Sequence, residues 1–417
     1  MNKQQTNYKQ TGIGEISQNW EVLNFSSITE NFDAQRIPLS KMQRQKRKGD
    51  YPYYGASGVI DYVDDYIYEG RFLLISEDGE NLRSRKQPIS FIVDGKFWVN
   101  NHAHIVKSND KSILEFIHYW FVSNSINKYL SGSVQPKLSQ GNLNRIQIVC
   151  PQINEQQQIV SVLSSLDDKI ELNRKMNQTL EEIGKTLFKC WFVDFEFPNE
   201  EGKPYKSSGG EMVNSELGEI PRGWEVGHLR DIFEINTKSV KPQKKPHEEF
   251  WHFSIPSYDQ FSFPTKEKGE IIKSNKTAIH DKSILVSKLN PKKEKRIWSV
   301  LGHFWNNQAI SSTEFINYVP LKDEDWAFGN FLVRNDDFYN SFSSHSTGST
   351  GSRQRVRPSE TLGFQFTNPQ TYLKLSFKNA VNPLLKQMND NIMEIMSLIN
   401  LRDSLLPRLM SGKLRVN

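Results

Sequence analysis

At 417 residues the chain exceeds what one hydrophobic core serves, and 36% hydrophobic content is that of a folded protein, so two or more domains are expected and wholesale disorder is excluded. No run of about 18 apolar residues offers a membrane span, and the start Met1-Asn2-Lys3-Gln4-Gln5-Thr6 lacks the apolar stretch of a secretion signal. Two cysteines, Cys150 and Cys190, are too few for a disulfide framework or a thiolate zinc site, so a reducing cytoplasm is the expected compartment; the net charge of +5 is modest but clustered.

The chain opens with Gly14-Glu15-Ile16-Ser17-Gln18-Asn19-Trp20-Glu21-Val22, which returns 204 positions later as Gly218-Glu219-Ile220-Pro221-Arg222-Gly223-Trp224-Glu225-Val226. Behind the first copy come strand-like runs at 58–63, 72–75 and 89–93, parted by the turns Glu77-Asp78-Gly79 and Asp94-Gly95. A helix is expected at 112–123, where Ile113, Phe116, Ile117 and Trp120 share a face. At Pro151 the texture changes. Asn154 with Gln157 reads as a capping box, and Ile159, Leu163, Leu166, Ile170, Met176, Leu180, Ile183 and Leu187 follow in four-three spacing with a phase slip near Asn173. A helix over 155–190 would be about 54 Å long. Residues 198–215 read as a linker, around Ser207-Ser208-Gly209-Gly210. A second β-rich region follows, to about residue 370. A second helix is then expected with Asn382 as N-cap and Pro383 at its first position, carrying Leu385, Met388, Ile392, Ile395, Ile399 and Leu406, with Pro407 bending its last turn.

Asn173, Leu180, Ile183 and Leu187 align with Asn391, Leu398, Leu401 and Leu405 at a constant offset of 218. The expected fold is therefore α+β, with an internal pseudo-twofold repeat: two β-rich domains, 1–150 and 216–370, each followed by a long helical region, 151–197 and 371–417. Each apolar seam needs a partner, and the other helix is the nearest; antiparallel pairing would put the two domains at opposite ends of a rod. Trp20 and Trp224, at the start of each domain, are expected to pack.

Arg36, Lys41, Arg44, Lys46, Arg47 and Lys48 crowd into thirteen positions, and further clusters fall at Arg83, Arg85 and Lys86, at Lys288 and 292–296, and at Arg353, Arg355 and Arg357. Basic clusters in both halves fit a phosphate-binding surface better than scattered solvated loops. Chemistry of the chain's own is weakly supported. Asp194 with Glu201 and Lys203 imitates a metal-dependent nuclease set but lies in a polar linker, and His102 and His104 alternate on a strand without a third ligand; His247 and His252 are no better supported. No phosphate loop ending G-K-[ST] exists, and Asn368-Pro369-Gln370-Thr371 lacks the second proline and the aromatic of an adenine-gripping tetrapeptide.

Both domain openings, the segment Gly132-Ser133-Val134-Gln135-Pro136-Lys137-Leu138, Pro151-Gln152-Ile153-Asn154-Glu155-Gln156, Leu187-Phe188-Lys189-Cys190-Trp191-Phe192-Val193-Asp194-Phe195 and Leu401-Arg402-Asp403-Ser404-Leu405-Leu406-Pro407-Arg408-Leu409-Met410-Ser411-Gly412 together resemble the specificity subunit of type I restriction–modification enzymes. The resemblance implies that each β-rich domain reads one half of a bipartite double-stranded DNA site and that the helices form a spacer setting the distance between half-sites. It also implies docking of two methyltransferase subunits and two restriction subunits. S-adenosylmethionine, ATP and Mg²⁺ belong to those partners, and no cofactor, metal or catalytic residue is assigned to this chain. The rivals are a stand-alone coiled-coil DNA-binding protein and, further off, an orphan nuclease.

The residues expected to meet DNA in the first domain are Arg36, Lys41, Arg44, Lys46 and Arg47 on phosphates, with Tyr54, Ser57, Asn81, Arg83, Arg85, Ser133, Gln135 and Lys137 on the loops. The tyrosine has core packing as an equal alternative. In the second domain they are Ser352, Arg353, Gln354 and Arg355, with Lys292 and Lys293 behind them. That copy departs from the first, carrying arginines and no Pro-Lys-Leu-Ser run.

Overall fold

The computed structural model describes residues 8–12, 14–132, 134–301, 305, 308–347 and 354–416. The chain forms two compact units, Met1–Glu171 with Ile395–Asn417, and Leu172–Glu394. Each unit thus holds one β-rich head and a stretch of both long helices.

In the first unit the chain enters the head through Glu21–Asn24 and leaves it through Gln147–Cys150, and these two strands pair antiparallel. Between them lies an antiparallel sheet ordered Thr29–Asn31, Ala103–Ser108, Phe72–Ser76, Ser90–Val93. Phe72–Ser76 is buried at every position, as its unbroken apolar run requires. Strand alternation sends Leu73 and Ile75 into a core with Phe116 and Ile117 of the helix Leu114–Ser123, and Phe72 and Leu74 into a second core with Tyr68 and Phe97. The second sheet runs Gly58–Val63, Tyr51–Gly55, Lys96–Val99, Tyr68–Glu69, with its middle pair parallel. Trp20 is fully buried and its indole N–H donates to Glu155 Oε2 at 3.0 Å.

The second unit repeats this plan. Glu225–His228 pairs with Gln365–Asn368. The main sheet is ordered Phe233–Ile235, Phe315–Pro320, Lys282–Ser287, Ile297–Leu301. Its second sheet again centres on a parallel pair, Glu249–Phe253 with Ala309–Ser311, and gains one outer strand, Ser239–Val240. Trp224 is buried between Phe195 and Phe197, with ring centroids 5.5 and 5.2 Å away. The duplication therefore extends to strand order and strand direction.

The long helices are Ile153–Phe192 and Thr371–Met410, each of 40 residues and offset by 218 at both ends. Within each unit they run antiparallel. In the first, Arg402 Nη1 meets Asp167 Oδ1 at 2.7 Å, and Ile159 and Leu163 share a core with Leu406, Leu409 and Met410. In the second, Asn173 Nδ2 donates to Glu394 Oε2 at 2.8 Å, Asn177 Nδ2 donates to the Met388 carbonyl at 3.1 Å, and Phe188 meets Phe377.

Three expectations are corrected. The second helix begins at Thr371, so Asn382 is no N-cap and Pro383 sits exposed in the helix interior. Leu373, Phe377, Val381 and Leu385, spaced by four and all buried, carry the helix through it; their burial outweighs the roughly 3 kcal/mol of an interior proline. Asn154 likewise lies inside its helix, whose first amides, Glu155 N and Gln156 N, donate to the Gln152 carbonyl. Along the seam Leu163, Ile170, Leu385, Ile395 and Leu406 are buried, and Leu166, Leu180, Leu187, Met388, Ile392 and Ile399 are half-buried, but Ile183 is 48% exposed. Leu180 keeps its inward place, and beyond it the inward positions are those of Gly184 and Phe188, each one residue later than the Ile183 and Leu187 of the heptad reading.

Candidate nucleic-acid interface

In the first head the strand Phe72–Ser76 ends in a loop that grips another. The Leu138 amide donates to the Glu77 carbonyl at 2.7 Å, the Gly79 amide to the Pro136 carbonyl at 3.1 Å, and Ser131 and Lys137 exchange both backbone bonds at 2.8 Å. Arg83 Nη2 adds a bond to the Gly132 carbonyl at 2.7 Å. Gly132 has φ +83°, and a β-carbon there would stand 2.2 Å from the Gln135 carbonyl oxygen, so the tight turn demands glycine. The clamp leaves Val134 and Gln135 projecting, Val134 at 93% exposure.

The second head carries the same clamp. The Val356 amide donates to the Lys288 carbonyl at 3.1 Å, the Asn290 amide to the Gln354 carbonyl at 2.9 Å, and Thr347 and Arg355 exchange backbone bonds at 3.0 and 2.9 Å. Lys137 and Arg355 are thus equivalent positions, again 218 apart. Each is neutralised: Lys137 Nζ lies 3.3 Å from Glu77 Oε1, and Arg355 forms a two-pronged pair with Glu314 at 2.9 Å on each arm. Ser352 and Arg353 lie outside the described residues, as does Ser133.

Several cations expected on phosphates form ion pairs or backbone bonds within the first head. Arg36 donates through Nη1 to Glu77 Oε2 at 2.7 Å and to the Ala103 carbonyl at 2.9 Å, and through Nε to the Asp33 carbonyl at 3.0 Å. Arg44 pairs with Asp61 at 3.0 Å and lies over the Tyr53 ring. Arg47 pairs with Asp64 at 2.8 Å and lies over Trp98. Lys48 also holds Asp61; with the Tyr62 amide and Arg44 it draws that carboxyl down to about 2. Arg85 turns inward to the carbonyls of Phe121 and Val122, at the end of the helix Leu114–Ser123. Acidic neighbours at short range explain the paired cations, because a guanidinium near a carboxylate in a half-buried site pairs before it reaches solvent.

Lys41 and Lys46 stay exposed on the short helix Lys41–Lys46, and Lys292 and Lys293 are exposed on the second head. Tyr54 is half-buried against Phe91 and Phe97, and burial pushes its phenol up. Ser57 is exposed in the turn between two strands, next to Ala56, whose carbonyl accepts from Ser76 Oγ at 2.5 Å. Asn81 closes its own loop on Gln87. Gln354 is half-buried, its amide on Asn290 Oδ1 at 3.1 Å.

Among the described residues one group has metal-ligand spacing: Asp33, Glu77 and His104, with their ligand atoms within 4.8 Å of one another. The histidine ring faces Asp33 Oδ2 at 2.6 Å through Nδ1 and the Leu138 carbonyl at 2.7 Å through Nε2, and Arg36 supplies positive charge to both acids. Both ring nitrogens already face protein oxygens, so the ring is taken up by these two contacts. Burial raises the Asp33 carboxyl, but His104, the Ile105 amide and Arg36 reverse this and hold it below the usual range. The cluster is a structural hub. His102 pairs with Asp78 at 2.8 Å rather than joining it, and His252 lies 3.1 Å from Glu267. Of the nuclease-like set, Asp194 pairs with Lys189 and Glu201 with Lys203, so each acid already has a lysine.

The sequence reading placed Glu77 on a candidate loop and Val134 in a candidate segment without giving either a role of its own, and it missed Glu314. Glu77 read as part of a turn and of a candidate DNA-facing loop, and only the internal repeat of the clamp marks its bond to the loop cation.

A sequence profile described as "Type I restriction modification DNA specificity domain" matches residues 17–182. The chain is 30% identical over 452 residues to the type I restriction enzyme MjaIX specificity subunit of Methanocaldococcus jannaschii, covering 99% of this chain and 97% of that one. It is 24% identical to the type I restriction enzyme HindI specificity subunit of Haemophilus influenzae over 86% of each chain. In fold it is similar to the type I restriction–modification S subunit from M. genitalium, with a TM-score of 0.55 at 15% identity over 94% of this chain and 96% of that one.

Proposed function

Because this chain belongs to the specificity subunits of type I restriction enzymes, we propose that it reads a split, asymmetric double-stranded DNA site, one half with each head. The recognition domains are assigned to 1–150 and 216–370, the linker to 198–215, and the spacer to 151–197 and 371–417. Two methyltransferase subunits and two restriction subunits join the chain in the complex and supply S-adenosylmethionine, ATP and Mg²⁺ chemistry. This chain then contributes recognition and not catalysis, and acts on DNA in the cytoplasm; no helix among the described residues is long and apolar enough to cross a membrane.

The observation that carries the reading is the repeated loop clamp. Two heads of one topology hold the same loop by the same backbone bonds, yet differ at its base in acid and cation. Common architecture with divergent side chains is what reading two different half-sites requires, since bases are distinguished by side chains on a fixed frame. In the first head, Val134 and Gln135 are assigned to base edges, and Lys41 and Lys46 to phosphates. In the second, Lys292 and Lys293 are assigned to phosphates, and Ser352 and Arg353 to the DNA-facing loop.

The test is to map methylated adenines in cells carrying the complete system, with and without this chain. The expected result is a two-part motif that vanishes without it; a contiguous motif, or methylation indifferent to the chain, overturns the proposal. Tight, sequence-specific binding by the purified chain with no effect on methylation would favour the stand-alone DNA binder. Mg²⁺-dependent cutting lost in Asp194→Asn would favour the nuclease.

A further inference from the structure

We infer that Glu77 in the first head and Glu314 in the second are positioning residues for half-site recognition, each locking the loop that carries the base-contacting side chains. The inference rests on the DNA-reading function proposed above. Glu77 follows the central strand of its sheet and is itself anchored: Arg36 donates to its Oε2 at 2.7 Å and is tied in turn to the Ala103 and Asp33 carbonyls. Its other oxygen faces Lys137, at the base of the loop, while its carbonyl takes the Leu138 amide. The loop cation is therefore fastened to a framework that includes the buried Asp33–His104 pair.

In the second head the residue equivalent to Glu77 is Lys288, whose charge cannot pair with Arg355. The acid comes from another strand end: Glu314 precedes Phe315–Pro320, as His102 precedes Ala103–Ser108. Glu314 also accepts the Lys288 amide through its carbonyl at 2.9 Å, so it touches both sides of the clamp. Two heads that differ in side chains thus meet one requirement, a carboxylate on the loop cation, from two different places. A half-exposed pair of this kind adds little to folding stability. Its effect falls on the loop, because side chains held in place before binding lose less freedom on DNA.

The test uses the full chain assembled with its partner subunits, with half-site discrimination read by sequencing methylation across a DNA library and folding read by thermal melting. Glu77→Gln is expected to relax discrimination at one half-site roughly 10-fold, the scale of one well-placed base contact. Glu314→Gln should do the same at the other half-site only, with a melting midpoint close to the parent's. Exchanging the second pair, Glu314→Arg with Arg355→Glu, should restore discrimination, a rescue that general loss of packing does not produce. If Glu77→Gln lowers the melting point through Arg36, the Glu314 arms decide. Unchanged discrimination in Glu314→Gln, with Gln135→Ala still relaxing one half-site, overturns the positioning role and leaves the DNA-reading proposal standing. No effect from Gln135→Ala either overturns the assignment of this loop to DNA.

Discussion

Gly184 of the central helix lies against Phe331 so closely that a β-carbon at 184 would stand 2.2 Å from the ring's Cζ. This contact seats the second head on its own stretch of helix. Alanine normally favours a helix over glycine by about 1 kcal/mol, but here the ring, buried in the core, must move. Gly184→Ala is expected to lower the thermal midpoint, with a net cost of about 1–3 kcal/mol for overpacking. Phe331→Leu in the same chain should recover part of the loss, giving a positive coupling in a double-mutant cycle. Additive losses would mean that the two side chains do not meet.

Asn173 and Asn391 occupy equivalent positions in the two helices and are both buried, yet their bonding differs. Asn391 donates to Asn177 Oδ1 at 2.8 Å and accepts from Gln387 at 2.8 Å. The Asn173 side chain donates to Glu394, which is exposed, and its own Oδ1 has no partner among the described residues. Removing a satisfied buried amide strands its partners, whereas removing a half-satisfied one relieves a desolvation cost. Asn391→Leu should therefore destabilise by about 1 kcal/mol, and Asn173→Leu should be neutral or stabilising. Urea midpoints of the two variants check the asymmetry, and equal losses would contradict it.

The two-headed architecture was readable because it rests on repetition: the G-E-I-x-x-x-W-E-V openings and the 218 offset need no propensity to be seen. The helix start at Thr371 was not. Pro383 is a strong local stop signal, and the stripe Leu373, Phe377, Val381, Leu385 that overrides it owes its strength to a core visible only in three dimensions. For the candidate interface, the loop segments could be named from sequence, but the ion pairing of their charges could not. Arg36, Arg44 and Arg47 read as a basic cluster until Glu77, Asp61 and Asp64, distant in sequence, were seen to pair with them.

Glu181 on the central helix faces Arg334 at 3.6 Å and Lys185 at 2.8 Å. Burial by itself would raise this carboxyl; Arg334 and Lys185 more than reverse it and hold it below the ordinary range. A folded-state value below the unfolded one means that the pair stabilises the protein above the ordinary glutamate value, about 4.3. That contribution fades as the pH falls through the lowered folded value. Wild-type stability should thus lose this contribution only below about pH 4.3, while Glu181→Gln should be less stable at pH 7 and show a shallower acid limb. Denaturant midpoints from pH 7 to pH 3 make the comparison; parallel limbs would remove Glu181 from the account.

Arg36 and Lys41 stand five positions apart in one basic cluster and are expected to fail in different ways. Arg36 fastens Glu77 and two backbone carbonyls, so Arg36→Met strands a buried carboxylate and should cost about 3 kcal/mol in stability. Lys41 is exposed on a capped helix with no ion pair among the described residues, so Lys41→Ala should leave the melting point unchanged. Its effect should appear in DNA binding by the assembled complex: weaker affinity for all sequences alike and a log–log salt slope shallower by about 1. Binding titrations at several salt concentrations, on matched and unmatched DNA, separate the two. A Lys41→Ala complex with an unchanged slope would take this helix off the phosphate backbone.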